Sequence, residues 1–136
     1  MFALTGIGHL VTNDETAGQG KLGVLNDAAV VADDAGNISW VGKQTELANH
    51  FDGKPTDVGG RAVIPGFVDS HTHLVFAGDR ALEFESRMQG KPYAAGGIKT
   101  TMAATRAASD DVLAANVARL ANEALASGTT TLEVKS

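Results

Sequence analysis

Apolar and polar positions follow two different rhythms along this chain. From Met1 to about Gly60 the apolar residues come in short runs separated by Gly, Asn and Asp, the pattern of a β-rich segment. The runs Ala28-Ala29-Val30-Val31-Ala32 and Ile38-Ser39-Trp40-Val41-Gly42 flank Asp33-Asp34-Ala35-Gly36-Asn37, a turn composition, and so predict a β-hairpin. Thr45 to His50 predicts a short helix or a helical turn. Six of the seven residues in Val63-Ile64-Pro65-Gly66-Phe67-Val68-Asp69 are apolar, Gly or Pro, which predicts a strand buried on both faces.

The rhythm then becomes helical in two stretches. Leu82 to Gln89 has helical composition, with Phe84 and Met88 as an i,i+4 apolar pair. Gly96-Gly97 breaks the pattern as a Gly-rich loop. Ser109 is placed to cap a second helix, with Asp110 and Asp111 in its first turn, where carboxylates are favoured. Leu113, Val117, Leu120 and Ala124 then form one apolar stripe, and Gly128 suits the residue just past the helix end. The Thr-rich run Thr129 to Val134 predicts a strand. The second half thus reads as an α/β, strand–helix–strand unit of the parallel kind.

Candidate chemistry gathers where the apolar strand run meets its loop. His71 and His73 flank Thr72, and side chains two apart on a strand share a face, about 6.5–7 Å apart along the backbone. Two imidazoles so placed can converge on one ion, and neutral imidazole is the commonest ligand for zinc-like metals. Packing them as core histidines would require two satisfied imidazoles inside an apolar strand, a costly arrangement. A strand that delivers His-x-His at its C-terminal end suits a metal site at the mouth of a (β/α) barrel. Asp69 shares that face. It either orients a ligand from behind or hydrogen-bonds backbone near the strand end.

Composition narrows the partners. The 136 residues carry a net charge of −5, which argues against nucleic acid or an anionic membrane surface as the main partner. Without cysteine there is neither a disulfide framework nor a thiolate ligand. No run approaches the ~18 apolar residues of a membrane span, and no basic stretch followed by an apolar core opens the chain. A soluble, cytoplasmic protein is expected. Gly96-Gly97 lacks a following Lys-Ser/Thr, so a nucleotide phosphate loop is not expected.

The words themselves resemble a known group. Pro65-Gly66-Phe67-Val68-Asp69-Ser70-His71-Thr72-His73 is similar to the first-strand motif of the metal-dependent amidohydrolase superfamily. Within it, His73-Leu74-Val75-Phe76-Ala77-Gly78-Asp79-Arg80, Glu83-Phe84-Glu85, Gln89-Gly90-Lys91, Thr105-Arg106-Ala107-Ala108-Ser109 and Leu132-Glu133-Val134-Lys135-Ser136 resemble the imidazolonepropionase family in family order. The resemblance covers about Ala28 to Ser136.

That resemblance implies a fold and a reaction. Residues 1–62 would be part of a small β-sandwich, and 63–136 the first βα unit and second strand of a (β/α)8 hydrolase barrel. Such a barrel takes about 250 residues, so the chain reads as the N-terminal portion of a longer enzyme. The implied activity is hydrolysis of 4-imidazolone-5-propanoate to N-formimidoyl-L-glutamate in histidine degradation, by metal-activated water, with no turnover from this piece alone. His71 and His73 would be ligands to one zinc or iron ion, and further ligands and the general base would lie downstream. Arg80, in the long connection that follows the strand, would grip the propanoate of the small-molecule substrate with paired hydrogen bonds; without the resemblance it would read as a solvated surface residue. The complete enzyme would be a homodimer. One departure is the abrupt Tyr93-Ala94-Ala95-Gly96-Gly97, shorter than the family pattern, which would alter substrate fit. Some amidohydrolases bridge two metals with a carboxylated lysine, an idea Lys135 invites; the single-metal family resemblance argues against it. Two other readings stand beside this one: another cyclic amidohydrolase or deaminase of the superfamily, sharing the His pair but not the Arg80 word, and a non-catalytic fragment or scaffold module.

Overall fold

The computed structural model describes residues 1–90 and 97–135, in two compact units, Met1–Pro65 and Gly66–Ser136. The abrupt Tyr93–Gly97 loop, apart from Gly97 itself, lies outside the described residues.

In the first unit, β1 (Phe2–Val11), β2 (Val24–Ala32), β3 (Ile38–Lys43), β4 (Thr56–Asp57) and β5 (Ala62–Val63) make one sheet in the order β3-β2-β1-β4, with β5 also paired to β1. The hairpin of β2 and β3 forms where the apolar runs predict it, with Val30 opposite Val41 and Val31 opposite Trp40. Its turn is built by one side chain. Asp33 Oδ1 accepts from the amides of Asn37 at 2.8 Å and Ala35 at 3.0 Å, and Gly36 takes the left-handed φ of +84° that the turn demands. The short helical turn is a 3₁₀ helix, Gln44–Asn49.

Strand β2 explains where this unit's core sits. Ala28 through Ala32 are all buried, because alternate residues face opposite sides of a sheet and both sides are covered. Ala29 and Val31 pack with Ala3 and Leu47, flanked by Trp40 and Phe51. Ala28 and Val30 pack with Ile7 and Leu10, flanked by Leu4, Leu25, Val41, Val58 and Val63.

In the second unit, β6 (Phe67–Thr72) and β7 (Thr129–Val134) pair in parallel, and between them run α1 (Ala81–Met88), α2 (Gly97–Ala107) and α3 (Asp110–Ala126). Helix α3 begins and ends as its sequence predicts. Ser109 Oγ accepts from the Val112 amide, and Gly128 just past the end has φ of +92°. Leu113, Val117, Leu120 and Ala124 are all half-buried.

Three expectations are corrected. Val63 belongs to β5, paired with β1, and is separated from β6 by Ile64-Pro65-Gly66; Pro65 has no N–H to donate to a ladder. Strand β6 is not buried on both faces: Phe67 is 55% and Val68 69% exposed, since the helix that packs on this strand pair, α3, lies against β7. A third helix, α2, occupies sequence that reads as loop. Its threonine hydroxyls turn back onto the helix's own carbonyls, Thr101 to those of Gly97 and Ile98 and Thr105 to that of Thr101, so they are satisfied without leaving the helix. No described helix is long and apolar enough to cross a membrane.

Candidate functional site

The end of β6 presents the two imidazoles side by side. Their ring centroids are 5.1 Å apart with the planes at 71°, and both residues are exposed, while the intervening Thr72 is half-buried. This is strand alternation at work. Thr72 secures the strand end to its partner: its hydroxyl donates to the Glu133 carbonyl at 3.0 Å, and its own carbonyl accepts from the Lys135 amide at 2.8 Å. Asp69 Oδ1 accepts from the His71 backbone N–H at 3.2 Å, so its carboxylate is engaged with the strand backbone. Among the described residues no cluster of three or more His, Cys, Asp or Glu side chains surrounds a metal position. The other two histidines are in the first unit, where His9 Nδ1 pairs with Asn26 Oδ1 at 2.7 Å and His50 stacks on Trp40. Lys135, just past the end of β7, is ion-paired with Glu133 two residues before it.

Seven residues past His73 stands Arg80, at the start of α1. Asp79 sets the helix entry, its Oδ1 accepting from the Ala81 amide at 3.0 Å, and the Arg80 carbonyl accepts the first helical bond from Phe84. Arg80 is exposed and lines a recess of about 260 Å³ with Asp79, Glu83 and Thr100. Glu83 reaches from α1 to the first residue of α2: a Cβ at Gly97 would lie 2.3 Å from its Oε2. A carboxylate there faces the positive end of α2.

The sequence reading singles out Arg80 but not the three residues that line the recess with it. Asp79 carried a usable signal, since Asp favours turns in which its side chain accepts from the backbone amide two residues on. Glu83 and Thr100 meet only because α1 and α2 are brought together, which no local pattern announces.

No protein-family model matches the chain. Individual curated proteins do. The chain is 58% identical over 136 residues to an imidazolonepropionase of Nocardia farcinica, covering 98% of this chain and 33% of that one. It is 63% identical over 130 residues to that of Mycolicibacterium smegmatis, covering 96% and 32%, and 57% identical over 132 residues to that of Rhodococcus jostii, covering 97% and 32%. This chain is imidazolonepropionase-like along nearly its whole length. It spans about a third of the length of these relatives. Among solved structures, the atrazine chlorohydrolase TrzN of Arthrobacter aurescens TC1, determined with zinc, is similar with a TM-score of 0.59 at 23% identity, over 97% of this chain and 28% of that one. At that identity the likeness shows the fold alone.

Proposed function

We propose that this chain supplies the N-terminal portion of an imidazolonepropionase of the amidohydrolase superfamily. Residues 1–65 contribute to a small β-sandwich, and 66–136 supply the first βα unit and second strand of a (β/α)8 barrel. The complete enzyme opens the ring of 4-imidazolone-5-propanoate by hydrolysis of a cyclic C–N bond, yielding N-formimidoyl-L-glutamate in histidine degradation. The observation that carries the reading is identity of 57–63% to three curated imidazolonepropionases over nearly the entire chain. Two features of the geometry support it.

His71 and His73 are the proposed metal ligands. Their donor set fits a zinc or iron ion: two exposed imidazoles, 5.1 Å apart between ring centres, neither ring committed to a hydrogen bond recorded among the described residues. The zinc of the chlorohydrolase structure supports that class of ion. When bound, such an ion polarises a carbonyl and lowers the pKa of water toward neutrality. Asp69 holds the backbone amide of His71, where the His pair begins, and so helps set the strand geometry that presents it. Arg80 takes the substrate carboxylate, using the fixed fork of its guanidinium. The remaining ligands and the general base belong to the rest of the enzyme, which works as a homodimer in the cytoplasm.

The test uses the full-length protein that contains this chain. His71→Ala and His73→Ala are each expected to reduce turnover by more than about 100-fold, beyond the 10–100-fold typical of losing a group behind a ligand, and to reduce bound metal in parallel. Arg80→Ala is expected to raise KM by roughly 10–100-fold, the worth of a charged hydrogen-bond pair. Wild-type turnover and metal content in the His73→Ala protein would sink the reading.

A further inference from the structure

From the way the Arg80 turn is held, we infer that Thr105 and Asn116 are positioning residues for substrate recognition. This rests on Arg80 binding the substrate carboxylate, as proposed above. A long flexible side chain recognises a carboxylate in one geometry only if its backbone is fixed, and misplacement of about 1 Å can cost about 100-fold. The segment Leu74 to Arg80, which links the His pair to Arg80, belongs to no helix or strand. Its middle is secured from elsewhere. The Ala77 amide donates to Thr105 Oγ1 on α2 at 3.1 Å, and the Phe76 carbonyl accepts from Asn116 Nδ2 on α3 at 3.1 Å. Two consecutive residues are thus tied to two different helices.

The fit around these ties is close. Ala77 is buried, and at Gly78, where φ is +80°, a Cβ would lie 2.8 Å from the Cβ of Ala104, the residue before Thr105. Thr105 spends its own proton on the Thr101 carbonyl at 2.7 Å, which turns an oxygen lone pair toward Ala77. A hydroxyl performs both tasks, so Ser can replace Thr105 and Val cannot. Asn116 lies on the half-buried side of α3 with Leu113 and Val117. Helices α2 and α3 therefore set the place from which Arg80 reaches the carboxylate.

The experiment compares wild type, Thr105→Val, Thr105→Ser, Arg80→Ala and the Arg80→Ala/Thr105→Val double variant of the full-length protein. Each is assayed on the propanoate substrate and on its neutral propanamide analogue. Thr105→Val is expected to raise KM for the propanoate about five- to tenfold, the worth of one hydrogen bond, with kcat held within about twofold. Its effect on the propanamide should be under about twofold, Thr105→Ser should restore the wild-type KM, and the double variant should bind no worse than Arg80→Ala alone. Equal losses on both substrates, or KM effects that multiply in the double variant while Arg80→Ala alone raises KM, overturn the positioning role and leave the function standing. No KM change in Arg80→Ala overturns the carboxylate assignment and this inference together.

Discussion

The two units share an apolar strand pattern and differ in what becomes of it. In the first, the run Ala28 to Ala32 is wholly buried because the sheet has side chains packed over both faces. In the second, the run leading through Phe67 and Val68 is exposed, and so are Phe84, Met88, Ile98 and Met102 on the helices. Ala77 and Gly97 are the buried residues among the second unit's described positions. An apolar run states that a strand favours covered faces; it does not state that its own unit supplies the cover. The division extends to chemistry. Every candidate site residue, Asp69, His71, His73 and Arg80, lies in the unit with the thinner core, while the well-packed unit carries none.

The comparison is tested most severely by truncating one apolar side chain in each unit. Ile7 is fully buried between β2 and its flanking side chains, and Ile7→Ala is expected to cost about 2–5 kcal/mol. Met88 is 74% exposed, and Met88→Ala is expected to stay within about 0.5 kcal/mol in this chain. Trp40, the only tryptophan, sits in the first unit, so its fluorescence in a denaturant titration reads the first effect; amide circular dichroism of the helices reads the second. A midpoint for Ile7→Ala equal to wild type would show that the first unit's core is not as well packed as its burial indicates.

How much was legible beforehand divides along a related line. The β2–β3 hairpin, the cap and stripe of α3, the parallel strand pair and the shared face of His71 and His73 rest on local signals: turn residues, a cap, and periods of two and 3.6. The pairing of β1 with the two-residue strands β4 and β5 rests on contacts distant in sequence, so Val63 read as part of the next strand. Helix α2 was hidden by Gly and β-branched Thr, whose intrinsic helix propensity is low. The ties of Thr105 to Ala77 and Asn116 to Phe76 span 28 and 40 residues, and only the folded chain reveals them.

A smaller effect sharpens the picture of the second unit. If α3 owes part of its stability to its own cap, Ser109→Ala should cost roughly 0.5–1 kcal/mol, toward the low end because the Ser109–Val112 bond is long at 3.4 Å. Hydrogen exchange of the first-turn amides of α3 would register it, while Trp40 fluorescence in the first unit should not change. Equal protection in both proteins would mean that packing against β7, and not the cap, holds the start of the helix.

The smallest expected effect lies in the first unit and depends on pH. The Asn37 backbone amide, helped by the Asn37 side chain and the Ala35 and Gly36 amides, holds the Asp33 carboxyl below its ordinary 3.8 against the opposing influence of burial. A carboxyl depressed by folding contributes stability that is complete above its ordinary value and is lost as pH falls through the lower folded value. The turn between β2 and β3 should therefore loosen only in acid below about pH 4. Asp14 titrates in the same direction, through the Thr16 hydroxyl and amide, so a global melt would blend the two. The Asn37 amide chemical shift separates them, because it reports the bond to Asp33 directly. Its acid transition should vanish in Asp33→Asn, which keeps an acceptor oxygen but loses the titration, while the transition seen at the Thr16 amide persists. An Asn37 transition that survives the substitution would place the pH response elsewhere and remove Asp33 from the account of why the first unit closes so completely.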